Sequence, residues 1–170
     1  VTRAGRAAVG IALIGLTVAG CGGSSEQRAA PATTTAAQAV LPSPDTVGLC
    51  GGVSDAEVAQ ATGSSGVQRV SVNPVSCAWQ PAAGGDYAVV FHWFRGSSLE
   101  ARRDQVTAGK PETVRVAGQS GIEWRGAQSC EVAVAFGDTD FIDWSERVSA
   151  RSCQGVEQLA AATLTNAGQS

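Results

Sequence analysis

Five cysteines limit what this chain can fold into, and the first stands apart from the other four. Cys21 closes an apolar run near the N-terminus. Cys50, Cys77, Cys130 and Cys153 are spread over the rest of the 170 residues. The run accounts for the first cysteine. Arg3 and Arg6 precede residues 7–19, which carry no charge and draw their apolarity from Ile11, Leu13, Ile14, Leu16 and Val18. A bilayer span needs about 20 apolar residues, so this stretch is too short to cross. It has the layout of an export signal, a positive n-region followed by a short h-region. Val18-Ala19-Gly20-Cys21 then reads as a lipobox: a branched residue, two small residues and a cysteine. Small residues let an extended chain enter a signal peptidase, and the thiol of Cys21 is the expected acceptor of a diacylglycerol.

The expected organisation is a signal peptide over residues 1–20, a lipidated Cys21 with a flexible tether over 21–47, and one domain over 48–168. Two or three acyl chains bind a bilayer stably, because each buried methylene contributes about 0.8 kcal/mol. The predicted location is the cell membrane, lipid-anchored on its extracytoplasmic face. The tether is Gly, Ser, Ala, Thr and Pro with almost no large apolar residue, too little to offset its ordering entropy. As a coil it would span roughly 25–30 Å. Losing Arg3 and Arg6 leaves 10 basic and 15 acidic residues, a net charge of −5. That balance argues against nucleic acid as a partner and against electrostatic docking on anionic lipid.

In the domain, Ser54-Asp55-Ala56-Glu57 forms a capping box, with Gly63 placed as the helix stop. Ser97-Ser98-Leu99-Glu100 offers a second box, closed by Gly109 and Pro111. Val156, Leu159, Ala160, Thr163 and Leu164 line one face of a third helix. Strands are predicted at 67–73, 76–80, 87–94, 113–116, 121–124, 130–136 and 140–148. Gly84-Gly85-Asp86 and Gly137-Asp138-Thr139 supply hairpin turns. Apolar residues on both faces of 87–94 predict a central strand covered on both sides. The fold class is α+β: a single domain with an antiparallel sheet, about three helices and two disulfides.

Four cysteines in an exported domain predict two disulfides, with three possible connectivities. The favoured one is local, Cys50–Cys77 and Cys130–Cys153. Zinc is not expected, since there is no C-x-x-C pair and His92 is the single histidine.

Several motifs recur together: the lipobox, Leu49-Cys50 opening the helix of Asp55-Ala56-Glu57-Val58, Cys77-Ala78-Trp79, Cys130-Glu131-Val132, and the helix led by Cys153. Together they resemble the actinobacterial lipoproteins grouped as domain of unknown function 3558, over residues 48–167. Ser152-Cys153-Gln154 departs from that pattern, in which proline and an acidic residue flank the cysteine. The resemblance implies fold, anchor and disulfides. It implies no catalytic residue.

Little in the sequence points to catalytic chemistry. His92 lies among Phe91, Trp93 and Phe94 and reads as a core-edge residue. Gly118-Gln119-Ser120-Gly121 begins like a nucleophile elbow, but Ile122 stands where the last glycine belongs, so a glycine-rich turn is the better reading. Asp138, Asp140, Asp143 and Glu146 do not have calcium-loop spacing. No catalytic residue and no cofactor are assigned. Trp79, Trp93, Trp124 and Trp144 all fall on predicted strands. They read first as core filler and second as a binding cleft or face. The leading functional expectation is a non-enzymatic envelope module that binds a protein or an apolar ligand. The alternative is a cell-envelope hydrolase using carboxylates among Glu123, Glu131 and Asp143.

Overall fold

A computed structural model describes residues 46–85, 88–147 and 152–168. The expected signal peptide, Cys21, nearly all of the expected tether, Asp86 of the expected hairpin turn, and Tyr87 and Val148 lie outside the described residues. Seven antiparallel strands form one sheet: β1 (Val67–Asn73), β2 (Ser76–Pro81), β3 (Ala88–Phe94), β4 (Glu112–Val116), β5 (Gln119–Arg125), β6 (Ser129–Phe136) and β7 (Asp140–Arg147). Their spatial order is β1-β2-β3-β7-β6-β5-β4. Two hairpin-linked runs therefore meet where β3 pairs with β7, and both centre on long alternating segments. Three helices pack on the sheet: α1 (Asp55–Thr62), α2 (Leu99–Gln105) and α3 (Gln154–Asn166).

The main core lies on the face that carries α1 and α3. Val89, Phe91 and Trp93 of β3 and Ile142 and Trp144 of β7 meet Val156, Leu159, Ala160 and Leu164 of α3 there. Trp144 stacks near Trp79, with centroids 5.5 Å apart, and lies 5.0 Å from Phe91. The capping box at Ser54 forms as its sequence dictates. Its hydroxyl accepts from Glu57 N, and the Glu57 carboxylate accepts from Ser54 N at 2.7 Å. Gly63 ends α1 in the left-handed region.

Cys50 is joined to Cys77 and Cys130 to Cys153, with Cα atoms 5.2 and 5.5 Å apart. The first bridge ties a short 3-10 turn (Leu49–Gly52) to β2. The second ties β6 to the start of α3.

Four local expectations need correction. The cap of α2 is Ser98, whose hydroxyl accepts from Ala101 N, so Glu100 is one position early for a closed box. The helix stops at Gln105, well short of Gly109, because Val106 leaves it to join a second, smaller core. β3 is interior to the sheet but not covered on both sides: Phe94 is 37% exposed, and Val90 and His92 are half-buried. The glycine-rich motif splits in two. Ala117 and Gly118 make the turn, while Gln119, Ser120 and Gly121 begin β5.

Candidate functional site

The second face of the sheet carries α2. Leu99 and Val106, at the two ends of that helix, pack against Ile122, Trp124, Ala133 and Phe141. This contact is small, and an ionic cluster adds to it. Arg102 donates from Nε to Oδ2 of Asp143 at 3.0 Å and from Nη2 to Oε2 of Glu131 at 2.9 Å. Its guanidinium carbon stands 4.7 Å from the Trp124 ring centre, a favourable cation–π distance. Register explains the grouping. Asp143 sits across from His92 on β3 and Ala133 on β6, and Glu131 sits across from Trp124 and Ser145.

Burial dominates the electrostatics. Asp143 is 3% exposed, and its carboxyl is pushed up to about 7, by burial first and the charge of Glu131 second, with Arg102 pulling the other way. Glu131 is also raised by burial, against the pull of Arg102. Burial and then Arg102 lower His92, which favours the neutral ring.

Two of the three candidate carboxylates, Glu131 and Asp143, thus come together. Glu123 belongs to the opposite face of its strand. It pairs with Arg125 at 3.2 Å and shares a hydrogen bond with Glu157, which raises the Glu157 carboxyl. Its carboxylate also lies within 4.8 Å of the Cys130 and Cys153 sulfurs. Both sulfurs are held in a disulfide, so this group offers a metal one carboxylate rather than a thiolate set. Between Glu131 and Asp143, a hydrolase would need a substrate or a water. The Arg102 guanidinium bonds both carboxylates instead. The arrangement holds α2 to the sheet.

All four tryptophans are buried, so none offers an exposed indole for a binding face. Three anchor other elements through their N–H groups. Trp79 donates to Asp55 Oδ1 at 2.7 Å, Trp93 to Asp140 Oδ2 at 3.1 Å, and Trp144 to Thr163 Oγ1 at 3.0 Å. The fourth, Trp124, lies beneath Arg102. Asp138 lies in the β6–β7 turn and Asp140 begins β7, where it also accepts from Gly96 N at 2.9 Å.

What is accessible instead is the part of the second face formed by β1, β2 and β3 and continued by Ser145 of β7 and Glu131 of β6. Two cross-strand rows run over it. One passes Ser71, Ala78, Val90, Ser145 and Glu131, and the other passes Ser76, His92 and Asp143. Apart from Asp143 these side chains are half-buried or exposed, and most are small. Sequence reasoning missed this surface, because each residue in it is unremarkable alone and only the register assembles them.

Residues 16–166 match the family described as a protein of unknown function, DUF3558. The chain belongs to this family. The protein named "Putative lipoprotein LprB" of Mycobacterium tuberculosis is 30% identical over 131 residues, covering 69% of this chain and 70% of that protein. The protein of the same name in Mycobacterium leprae is 30% identical over 132 residues, covering 69% of each. No solved structure matches.

Proposed function

We propose that this chain is an exported lipoprotein, held to the membrane by an acylated Cys21, whose domain is a non-enzymatic binding module. The lipobox behind a short apolar run supports the anchor, as does the lipoprotein name of the LprB relatives. Nothing in the name of the family or of the relatives describes a reaction. One observation carries the binding reading: the open part of the second face from β1 across to β7, with Ala78, Val90 and Ser145 in one row and Ser76 and His92 beside them. Small side chains let a partner approach the sheet closely, while Glu131 and His92 at the margin offer polar contacts. The ligand is an envelope protein or an apolar molecule that lies flat on this row.

Two experiments test the reading. In the first, Cys21→Ala should leave the protein unprocessed and shift it out of its normal detergent partitioning. Continued cleavage between Gly20 and Cys21 with unchanged partitioning would remove the anchor. In the second, pull-down and lipid extraction of the native lipoprotein from its own membranes is compared with an Ala78→Arg variant. The arginine should abolish capture at an unchanged melting temperature. Equal capture by both proteins would discard this face.

The hydrolase alternative draws on the raised carboxyls of Glu131 and Asp143. Their ties to Arg102 argue for a structural role. Loss of function in a folded Glu131→Gln protein with partner capture intact would restore the enzyme reading.

A further inference from the structure

The charges of this domain are unevenly placed. Residues 46–54, 70–85 and 158–168 are three of the runs that contain no Asp, Glu, Lys or Arg, and 58–68 and 87–94 are others. The fold brings part of each of the first three together, around Gly52, Cys77 and Asn166. The Cys50–Cys77 bridge sets the first beside the second. The Asn166 side chain donates to Gly52 O at 2.9 Å, which sets the third beside the first. Three of the exposed aliphatic side chains lie at the same place, with Val70 further back along β1. Leu49 is 56% exposed, Val72 52% and Val75 42%. Val72 pairs across from Cys77, and Val75 O accepts from Trp93 N, so both extend the sheet edge beside the bridge that holds Cys50 next to Leu49.

This is also the end at which the chain enters the domain. Val47 is buried in the core and Leu49 follows it directly. We infer that the apolar patch formed by Leu49, Val72 and Val75 rests on the bilayer that holds the anchor. The inference rests on the lipid anchor proposed above. The occupant follows from where the chain leads. As a flexible coil, the 24 residues between Cys21 and Thr46 would span roughly 25–30 Å on average, which places this end near an acylated cysteine. Weak contacts suffice at that range, because tethering gives the second contact a high effective concentration. Charge acts in the same direction. The rest of an acidic domain is repelled by anionic lipid, whereas this patch presents aliphatic side chains with the exposed cation Arg95 beside them, set there by the Trp93 N to Val75 O bond and the Arg95–Trp93 contact. Docked this way, the domain keeps its second sheet face clear of the membrane.

The test uses the full lipidated chain in vesicles of phosphatidylcholine with phosphatidylglycerol. With Cys21 acylated and the other four cysteines bridged, an introduced thiol is the only labelling site. An environment-sensitive dye is placed on Val72→Cys, and separately on Gly84→Cys as a control in the β2–β3 connection. The expected result is that the dye at 72 shifts to shorter wavelength and is quenched by a lipid-borne quencher, while the dye at 84 does neither. Flotation with the vesicles but aqueous emission at both positions would overturn the inference and leave the anchor standing. Failure to float would overturn both. A shift at 72 that depends on protein density and persists in detergent would assign this end to a second copy of the chain and overturn the membrane contact.

Discussion

Arg102 Nε lies 3.0 Å from Oδ2 of Asp143 and joins the short helix on the second sheet face to a buried carboxylate. That carboxyl is raised to about 7 by burial and by Glu131. A free aspartate ionises near 4, so the folded state holds the proton more tightly than the unfolded chain does. Stability from this group is complete below about pH 4 and is lost as pH climbs through about 7. The melting temperature should therefore fall between pH 5 and pH 8. Asp143→Asn should flatten that fall while keeping an acceptor for Arg102. His92, whose folded pKa is lowered, acts in the opposite sense as pH drops below its ordinary range, so the decisive quantity is the difference between the two proteins. An identical pH profile for the Asn variant would show that Asp143 is ionised throughout.

Asp55 behaves in the reverse way. Its Oδ1 accepts from Trp79 Nε1 at 2.7 Å and from Arg69 Nη2 at 2.6 Å. The Trp79 bond is the main cause of its lowered pKa. Such a group contributes stability above the ordinary aspartate range and loses it as pH falls through the lowered folded value. Asp55→Ala should cost about 1–2 kcal/mol at pH 7, most of it from the stranded, fully buried indole N–H. The side chain is half exposed, which makes the ion pair with Arg69 the smaller part. Urea titrations at pH 7 and pH 3 should show the cost shrinking in acid.

Much of this fold was legible because local signals and tertiary needs coincide. Ser54 and Glu57 cap a helix in any context, and Val156, Leu159, Ala160, Thr163 and Leu164 mark a buried stripe by period alone. The α+β class with its antiparallel sheet follows from hairpin-spaced strands. The candidate site was not legible in the same way. Arg102 meets Asp143 across 41 residues and Glu131 across 29, distances over which spacing carries no signal. Glu123, only two strands away from Asp143 in the sheet, belongs to the other face because strand side chains alternate. The short 3-10 turn at Leu49–Gly52, with Cys50 in the left-handed region, has no pattern of its own and is held by its disulfide.

The two bridges close loops with sequence separations of 27 and 23 residues. In the chain-entropy model each contributes about 3 kcal/mol by restricting the unfolded chain. Removing either pair, as Cys50→Ala with Cys77→Ala or as Cys130→Ala with Cys153→Ala, should lower the urea midpoint by a similar amount. The first pair also positions Leu49 and Gly51. Its loss should therefore loosen amide exchange in the 46–54 segment, while loss of the second pair should leave that segment protected. Equal exchange in both variants would mean that the 3-10 turn is held by other contacts.

Gly51 shows how tightly that turn is fitted. Its φ is +75°, and a Cβ there would fall 2.7 Å from Thr163 Oγ1 and 2.9 Å from Trp144 Cζ2. Neither neighbour is free to yield. The Thr163 hydroxyl accepts from the Trp144 indole and donates to Leu159 O at 3.0 Å, and Trp144 is fully buried against Phe91 and Trp79. Gly63 isolates the backbone share of the cost. Its φ is +67° with nothing within 4 Å of the added atom. There, alanine should cost about 1–2 kcal/mol, the penalty of a left-handed residue. At Gly51 the same penalty is joined by overpacking of about 1–3 kcal/mol, so Gly51→Ala should destabilise the domain by clearly more than Gly63→Ala. Urea denaturation of the two variants decides the point. Equal losses would mean that the Trp144–Thr163 pair shifts aside cheaply, and the junction of the turn, α3 and the sheet would then be softer than its hydrogen bonds imply.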